Sequence, residues 1–167
     1  MNIKKMHHVA YRCNNAAETV SFYTEILNLR FSHAVRNDHV PSTGEFYPHL
    51  HIFFELGDGS AVAFFELPAE HPMGRDPHTP DWVQHLALEL ADESSLMSWH
   101  ARLLEAGLEV IGPTDHGFVK SIYFFDPSGH RLELTCPAGP DEDADLVAAH
   151  AARLLEDWQR DRRAWTV

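Results

Sequence analysis

Cysteine is scarce in this sequence. The 167 residues contain two, Cys13 and Cys136, too few and too far apart for a disulfide framework or a cysteine-ligated zinc site. Both read as reduced, buried thiols. Positive charge is also short: 13 Lys+Arg against 25 Asp+Glu give a formal net charge of −12. Such a field repels phosphate backbones and anionic lipid surfaces, which argues against nucleic acid as a partner. No apolar run approaches the roughly 20 residues that cross a bilayer, so no membrane partner is expected. The N-terminal stretch MNIKKMHHVAYRC has neither the apolar core nor the small-residue cleavage site of a signal peptide. The expected location is the cytoplasm.

Hydrophobic residues at 44% and charged residues at 23% are ordinary globular values. The length suits one compact unit, or two small modules sharing a core. Histidine is plentiful, with 13 in the chain, and it is both the commonest metal ligand and the side chain that titrates near neutrality.

Hydrophobic period reveals a repeat. Residues 6–13 read as a strand, and 15–29 as an amphipathic helix with Val20, Phe22, Tyr23, Ile26 and Leu27 on its apolar stripe. A polar loop at 36–46 follows, then a hairpin of strands 49–56 and 61–68 around the turn GDGS. The order recurs as a strand at 83–90, a helix at 93–107 closed by Gly107, a short strand at 108–112, and a hairpin of 120–125 and 130–136 around Asp-Pro-Ser-Gly. The plan is two copies of βαβββ. His8-Val-Ala answers His85-Leu-Ala, and Glu66-Leu before Pro68 answers Glu133-Leu before Pro137. The expected division is a first module at 1–68, a proline-rich linker at 69–81, a second module at 82–140, and a C-terminal amphipathic helix at 141–167. That helix opens with the acidic run DEDAD and carries Val147, Ala151, Leu154, Leu155, Trp158 and Trp165 at helical spacing.

Glu133 sits between Leu132 and Leu134 in the last of these strands. Side chains alternate faces along a strand, so the leucines meet the module's helix and Glu133 faces the other way, with Tyr123 beside it if the register permits. By the same rule His85 points away from Leu86, Leu88 and Leu90. Two imidazoles, His8 and His85, with the Glu133 carboxylate form a known ligand set for Fe(II) that also suits Zn, Mn or Ni. His7 rivals His8, which the repeat alignment favours. His49 and His51 alternate onto one face of their strand.

These residues resemble the vicinal oxygen chelate superfamily, which includes glyoxalases, extradiol ring-cleaving dioxygenases and fosfomycin-resistance proteins. The resemblance covers residues 5–137. It implies an α+β fold in which two paired βαβββ modules form a cupped mixed sheet around a divalent metal, held by His8, His85 and Glu133. The segment TDHGFVKSIYFFDPSGHRLEL is most similar to extradiol catechol dioxygenases, which implies that His116 and Tyr123 contact substrate oxygens. The spacing from His116 to Tyr123 is shorter here than in that group, and its acid-base histidine has no clear match. Ser60 falls near that place, and His51 is the candidate substitute.

The expected activity is therefore Fe(II)- and O2-dependent cleavage of an aromatic diol by a homodimer. Glu66 resembles the fourth metal ligand of glyoxalases and pulls toward isomerase chemistry with Zn or Ni. A metal-free aromatic-binding protein of the resistance type is the third expectation.

Overall fold

The computed structural model describes residues 2–74, 76–140 and 143–162. Its elements run β1 (His8–Cys13), α1 (Ala16–Ser21), β2 (Arg30–His39), β3 (Phe46–Glu55), β4 (Ala61–Glu66), β5 (Leu86–Glu89), α2 (Glu93–Glu105), β6 (Ile111–Asp115), β7 (Val119–Phe125), β8 (Arg131–Pro137) and α3 (Ala144–Asp161). The two βαβββ halves give two four-stranded sheets, ordered β1-β4-β3-β2 and β5-β8-β7-β6. In each, the first strand pairs parallel with the last and the remaining pairs are antiparallel. The sheets are cupped and not closed, so β1 and β5 each end a sheet with one edge unpaired.

The helices form where the caps allow. The Asn15 side chain accepts from the backbone N–H groups of Ala17 and Glu18, and α1 then continues through one π-helical turn at Phe22–Ile26. Asp92 caps α2 by accepting from Ser95 N, and Gly107, at φ +80°, takes the left-handed conformation just beyond its end. The π turn brings Phe22 and Tyr23 onto the same buried side. Tyr23 stacks on Phe54 and leans on Phe64, while Phe22 reaches Phe124 of the other module. Leu96 and Leu103 of α2 join Ile122, Phe124, Leu132 and Leu134 in the same core. Fully burying one such side chain contributes roughly 2 kcal/mol, so this shared core is the main force joining the halves.

A polar clasp reinforces the junction. Asp126 Oδ1 accepts from the N–H groups of Ser128 and His130, which closes the Asp-Pro-Ser-Gly turn, while its Oδ2 accepts from the buried Tyr23 hydroxyl at 3.2 Å. Asn14 N donates to Ser128 Oγ, and the His130 ring bonds the Arg12 carbonyl at 2.6 Å. The Arg102 guanidinium donates to the carbonyls of Glu25 and Ile26.

Two elements differ from the sequence reading. The polar stretch read as a loop from 36 is strand as far as His39, because β2 is an edge strand with most side chains exposed and has no apolar face to give a period. The short strand expected at 108–112 forms at 111–115. In α3 no described residue is buried, and Leu146, Val147, Leu154, Leu155 and Trp158 are all exposed. Trp165 and the first two residues of the acidic run lie outside the described residues. Among the described residues no helix is long and apolar enough to cross a membrane.

Candidate metal-binding faces

Strand alternation on β8 sends Leu132, Leu134 and Cys136 into the core and leaves Arg131, Glu133 and Thr135 on the opposite face. Register then fixes the neighbours of Glu133, which lies between Ala87 of β5 and Tyr123 of β7. His85, two residues before Ala87, shares that face, and its Nε2 is 2.8 Å from Glu133 Oε2. Glu133 itself is 6% exposed. Its Oε1 accepts from the Ser121 hydroxyl at 2.5 Å, and Ser121 is placed by β7 two residues from Tyr123. Gly112 lets β6 close over this point: at φ +112° any Cβ would come within 2.7 Å of the Ser121 carbonyl oxygen.

Tyr123, itself buried, links the site to the exposed His116. Its hydroxyl is 2.8 Å from His116 Nε2, and His116 stands in the β6–β7 turn that Asp115 stabilises by accepting from Gly117 N. Burial, aided by the nearby Glu133 carboxylate, raises the Tyr123 phenol above its ordinary range, so it is a hydroxyl donor at neutral pH.

The first module presents a second face. His8 opens β1, exposed, with its Nδ1 2.8 Å from Nδ1 of His7. His51 lies 6.0 Å from it between ring centroids and stacks on Phe65 at 3.6 Å. The pairings Phe65 with His51 and Phe53 with His33 put all of these rings on one side of the sheet. His51 Nε2 is buried without a hydrogen-bond partner. Burial, then the neighbouring His8, His49 and His33, lower its pKa to about 4. His51 is thus a neutral imidazole at physiological pH. His49 bonds the Tyr47 carbonyl through Nδ1 at 2.7 Å.

Glu66 is placed elsewhere. It pairs with Cys13, on the helix-covered side of β4, and its Oε2 accepts from Ala16 N at the start of α1 at 3.2 Å. The position in β4 that corresponds to Glu133 is Ala63, since Ala10 pairs with Ala63 as Ala87 pairs with Glu133. Aligning Glu66-Leu67 with Glu133-Leu134 sets the copies three residues out of register, and an odd offset reverses the face.

The structure therefore gathers His85 with Glu133, and Tyr123 with His116, on one sheet, and His8 with His51 on the other. Among the described residues no group of three or more His, Cys, Asp or Glu side chains is close enough to hold a metal ion. The nitrogen and carboxylate of His85 and Glu133 suit a divalent cation, as two of three donors, and binding would replace their mutual hydrogen bond. Sequence reasoning missed Ser121 and Arg131, although the two-residue period that singled out Glu133 extends to Arg131. A cavity of about 790 Å3 is lined by Tyr11, Tyr23, Leu86 and Leu132 with His85, His130 and Arg131 at its wall, and Glu133 and Tyr123 are not among its lining residues.

A family model described as the Glyoxalase/Bleomycin resistance protein/Dioxygenase superfamily matches residues 5–134. Over 117 residues the chain is 29% identical to a putative ring-cleaving dioxygenase of Bacillus subtilis, MhqA, covering 68% of the chain but 36% of that protein's length. Over 152 residues it is 26% identical to a 2-epi-5-epi-valiolone epimerase of an Actinomyces species, covering 80% of each. Among solved structures, a glyoxylase/bleomycin resistance protein/dioxygenase domain from a Frankia species shares the fold with a TM-score of 0.67 at 19% identity, covering 82% of this chain and all of that one.

Proposed function

Since the chain belongs to the glyoxalase/bleomycin resistance protein/dioxygenase superfamily, we propose that it is a divalent-metal enzyme of that type which cleaves the ring of an aromatic diol with O2. The observation that carries this reading is the His85–Glu133 pair set beside the Tyr123–His116 pair on one sheet face. The similarity to the ring-cleaving dioxygenase supports it. Members of the superfamily use divalent metals, and His8, His85 and Glu133 would hold the one required here, Fe(II). When bound, Fe(II) supplies a Lewis acid for the vicinal oxygens and a one-electron couple toward O2.

The chain's own groups do the rest. Tyr123 donates from its hydroxyl to a substrate oxygen, and His116 takes up or returns a proton through the same hydrogen bond. His51, a neutral imidazole beside His8 on the other sheet, is the group that would accept a phenolic proton. His8 and His51 lie on the first module's sheet, and a second copy of the chain would bring them to Glu133 if β1 of one subunit sat beside β5 of the other. The reaction belongs in a reducing compartment, where Fe(II) and the buried thiols Cys13 and Cys136 persist.

The test is O2 uptake by iron-loaded protein, under air, against a panel of catechols, beside Tyr123→Phe. Uptake with appearance of ring-opened product is expected, reduced on the order of 100-fold in the variant. A panel left untouched by fully loaded protein removes the reading.

The epimerase match over 80% of both chains supports a second reading, a metal-assisted isomerase that moves a proton next to a carbonyl. It would draw on His85, Glu133 and His8 without Glu66, which caps α1. Isomerisation without O2 uptake selects it.

A further inference from the structure

The helix α3 takes no part in the site. None of its residues is buried, and Leu146, Val147, Leu154, Leu155 and Trp158 are between 45% and 70% exposed. The helix has 18 residues, a length of about 27 Å at 1.5 Å per residue. A helix that short, with no face packed, is only marginally stable in water. Its apolar side therefore needs a cover that its own chain does not supply. Val147, Ala151, Leu154 and Trp158 follow one another at intervals of four, three and four residues, the a/d spacing of a helix that pairs with another helix. Ala148 and Leu155 flank this seam on one side, and His150 and Asp157 flank it on the other. Arg153, Glu156, Gln159 and Arg160 lie on the back of the helix, all exposed.

We propose that α3 is an interface that takes the α3 of a second copy of this chain, the two helices lying antiparallel about a two-fold axis between Ala152 and Arg153. The seam is its own complement in that arrangement. Val147 meets the partner subunit's Trp158 and Ala151 meets the partner subunit's Leu154, and symmetry makes each contact twice. A small side chain thus faces a large one in every layer, which fills the space between the helices without voids. Parallel pairing would set Trp158 against its own copy and Ala151 against its own copy, overpacking one layer and leaving a void in another. Charge agrees with the antiparallel sense. His150 falls beside the partner subunit's Asp157, again twice, and an ion pair of 2.6 Å with Arg160 tempers the repulsion that Asp157 would exert on a second acidic chain. The positive end of each helix dipole also lies beside the negative end of the other. A chain of net charge −12 repels its own copy, but residues 145–162 are nearly balanced, with three arginines against four carboxylates. This contact stands apart from the metal site and from the edge pairing of β1 with β5.

The experiment is site-directed crosslinking of the whole chain. Val147→Cys and Trp158→Cys proteins, carrying different affinity tags, are oxidised alone and after co-expression. The native Cys13 and Cys136 are buried and do not compete. The antiparallel pair places residue 147 of one subunit against 158 of the other, so a disulfide-linked mixed dimer should form at least about tenfold more readily than a link within either protein alone. Sedimentation equilibrium of otherwise unaltered chains gives the second readout. Leu154→Glu buries a charge at two symmetric places and should weaken dimerisation on the order of 100-fold. Glu156→Gln, on the back of the helix, should leave it within about twofold, and circular dichroism verifies that both variants fold. Self-linking of Val147→Cys protein means parallel helices and overturns the assignment, as does a co-expressed pair that does not link. A dimer indifferent to Leu154→Glu associates through another surface, and a monomer whose melting temperature falls in Leu154→Glu docks the seam on its own body; either result also overturns it. Linking of the mixed pair in protein that consumes no O2 upholds the helix contact and removes only ring cleavage.

Discussion

His85 Nε2 and Glu133 Oε2 are 2.8 Å apart, and Ser121 engages the other carboxylate oxygen. The pair is thus preorganised on one sheet by register alone, and binding a metal exchanges one imidazole–carboxylate contact for two coordinate bonds. Glu133→Gln separates ligation from packing, because the amide retains the shape and one acceptor for Ser121. Metal content by elemental analysis should fall by at least tenfold, given that even outer-shell changes cost about 10- to 100-fold. Unfolding free energy should shift by less than about 1.5 kcal/mol, the scale of one hydrogen bond. Full metal occupancy in this variant would place the metal elsewhere.

A site completed by a second copy can be rescued in trans. His8→Ala and Glu133→Ala chains should each bind no metal, whereas a mixed dimer of the proposed arrangement should have one intact site, with His8 from one subunit and His85 with Glu133 from the other. Co-expression with two different affinity tags should yield one metal per mixed dimer. Zero metal in that dimer means the ligands must come from a single chain.

His51 makes stability sensitive to acid. Its folded pKa, about 4, lies below the ordinary histidine value of 6.5, so the unfolded chain binds more protons between those limits. Stability from this group is full above pH 6.5 and declines as pH falls toward 4. His51→Phe retains the stacking on Phe65 and removes the titration. Its denaturation midpoint should fall less steeply than that of wild type across this window. Parallel pH profiles for the two proteins would count against a buried neutral His51.

The junction rests on Asp126, whose carboxylate accepts from Tyr23, Ser128 and His130. Asp126→Ala leaves the buried Tyr23 hydroxyl and two turn N–H groups without acceptors and should cost about 2–4 kcal/mol in chemical denaturation. A cost below about 1 kcal/mol would mean that the apolar core alone holds the modules together.

Much of this was readable in the chain. The repeat in hydrophobic period gave both modules. The alternation about Glu133 put it on the side away from Leu132 and Leu134, and Tyr123 is its register partner. Glu66, expected as a fourth ligand, pairs with Cys13 and bonds Ala16 N on the helix-covered side of β4, since three residues of slip in a period of two reverse a face. The edge strand β2 was only partly visible, as polar side chains on both faces leave no pattern to detect. Ser121 escaped because a serine in an apolar strand carries no signal until the strand beside it is known.

The sequence by itself determined which residues face the helices and which face away, because that follows from local period and turn chemistry within each element. It also carried the chemistry of the donors: two imidazoles, a carboxylate and a phenol. Tertiary structure decided which of them meet. Pairing across strands joined His85 to Glu133 and Tyr123 to His116, while the separation of the two sheets left His8 with His51, because register and sheet order depend on contacts between residues far apart in the chain.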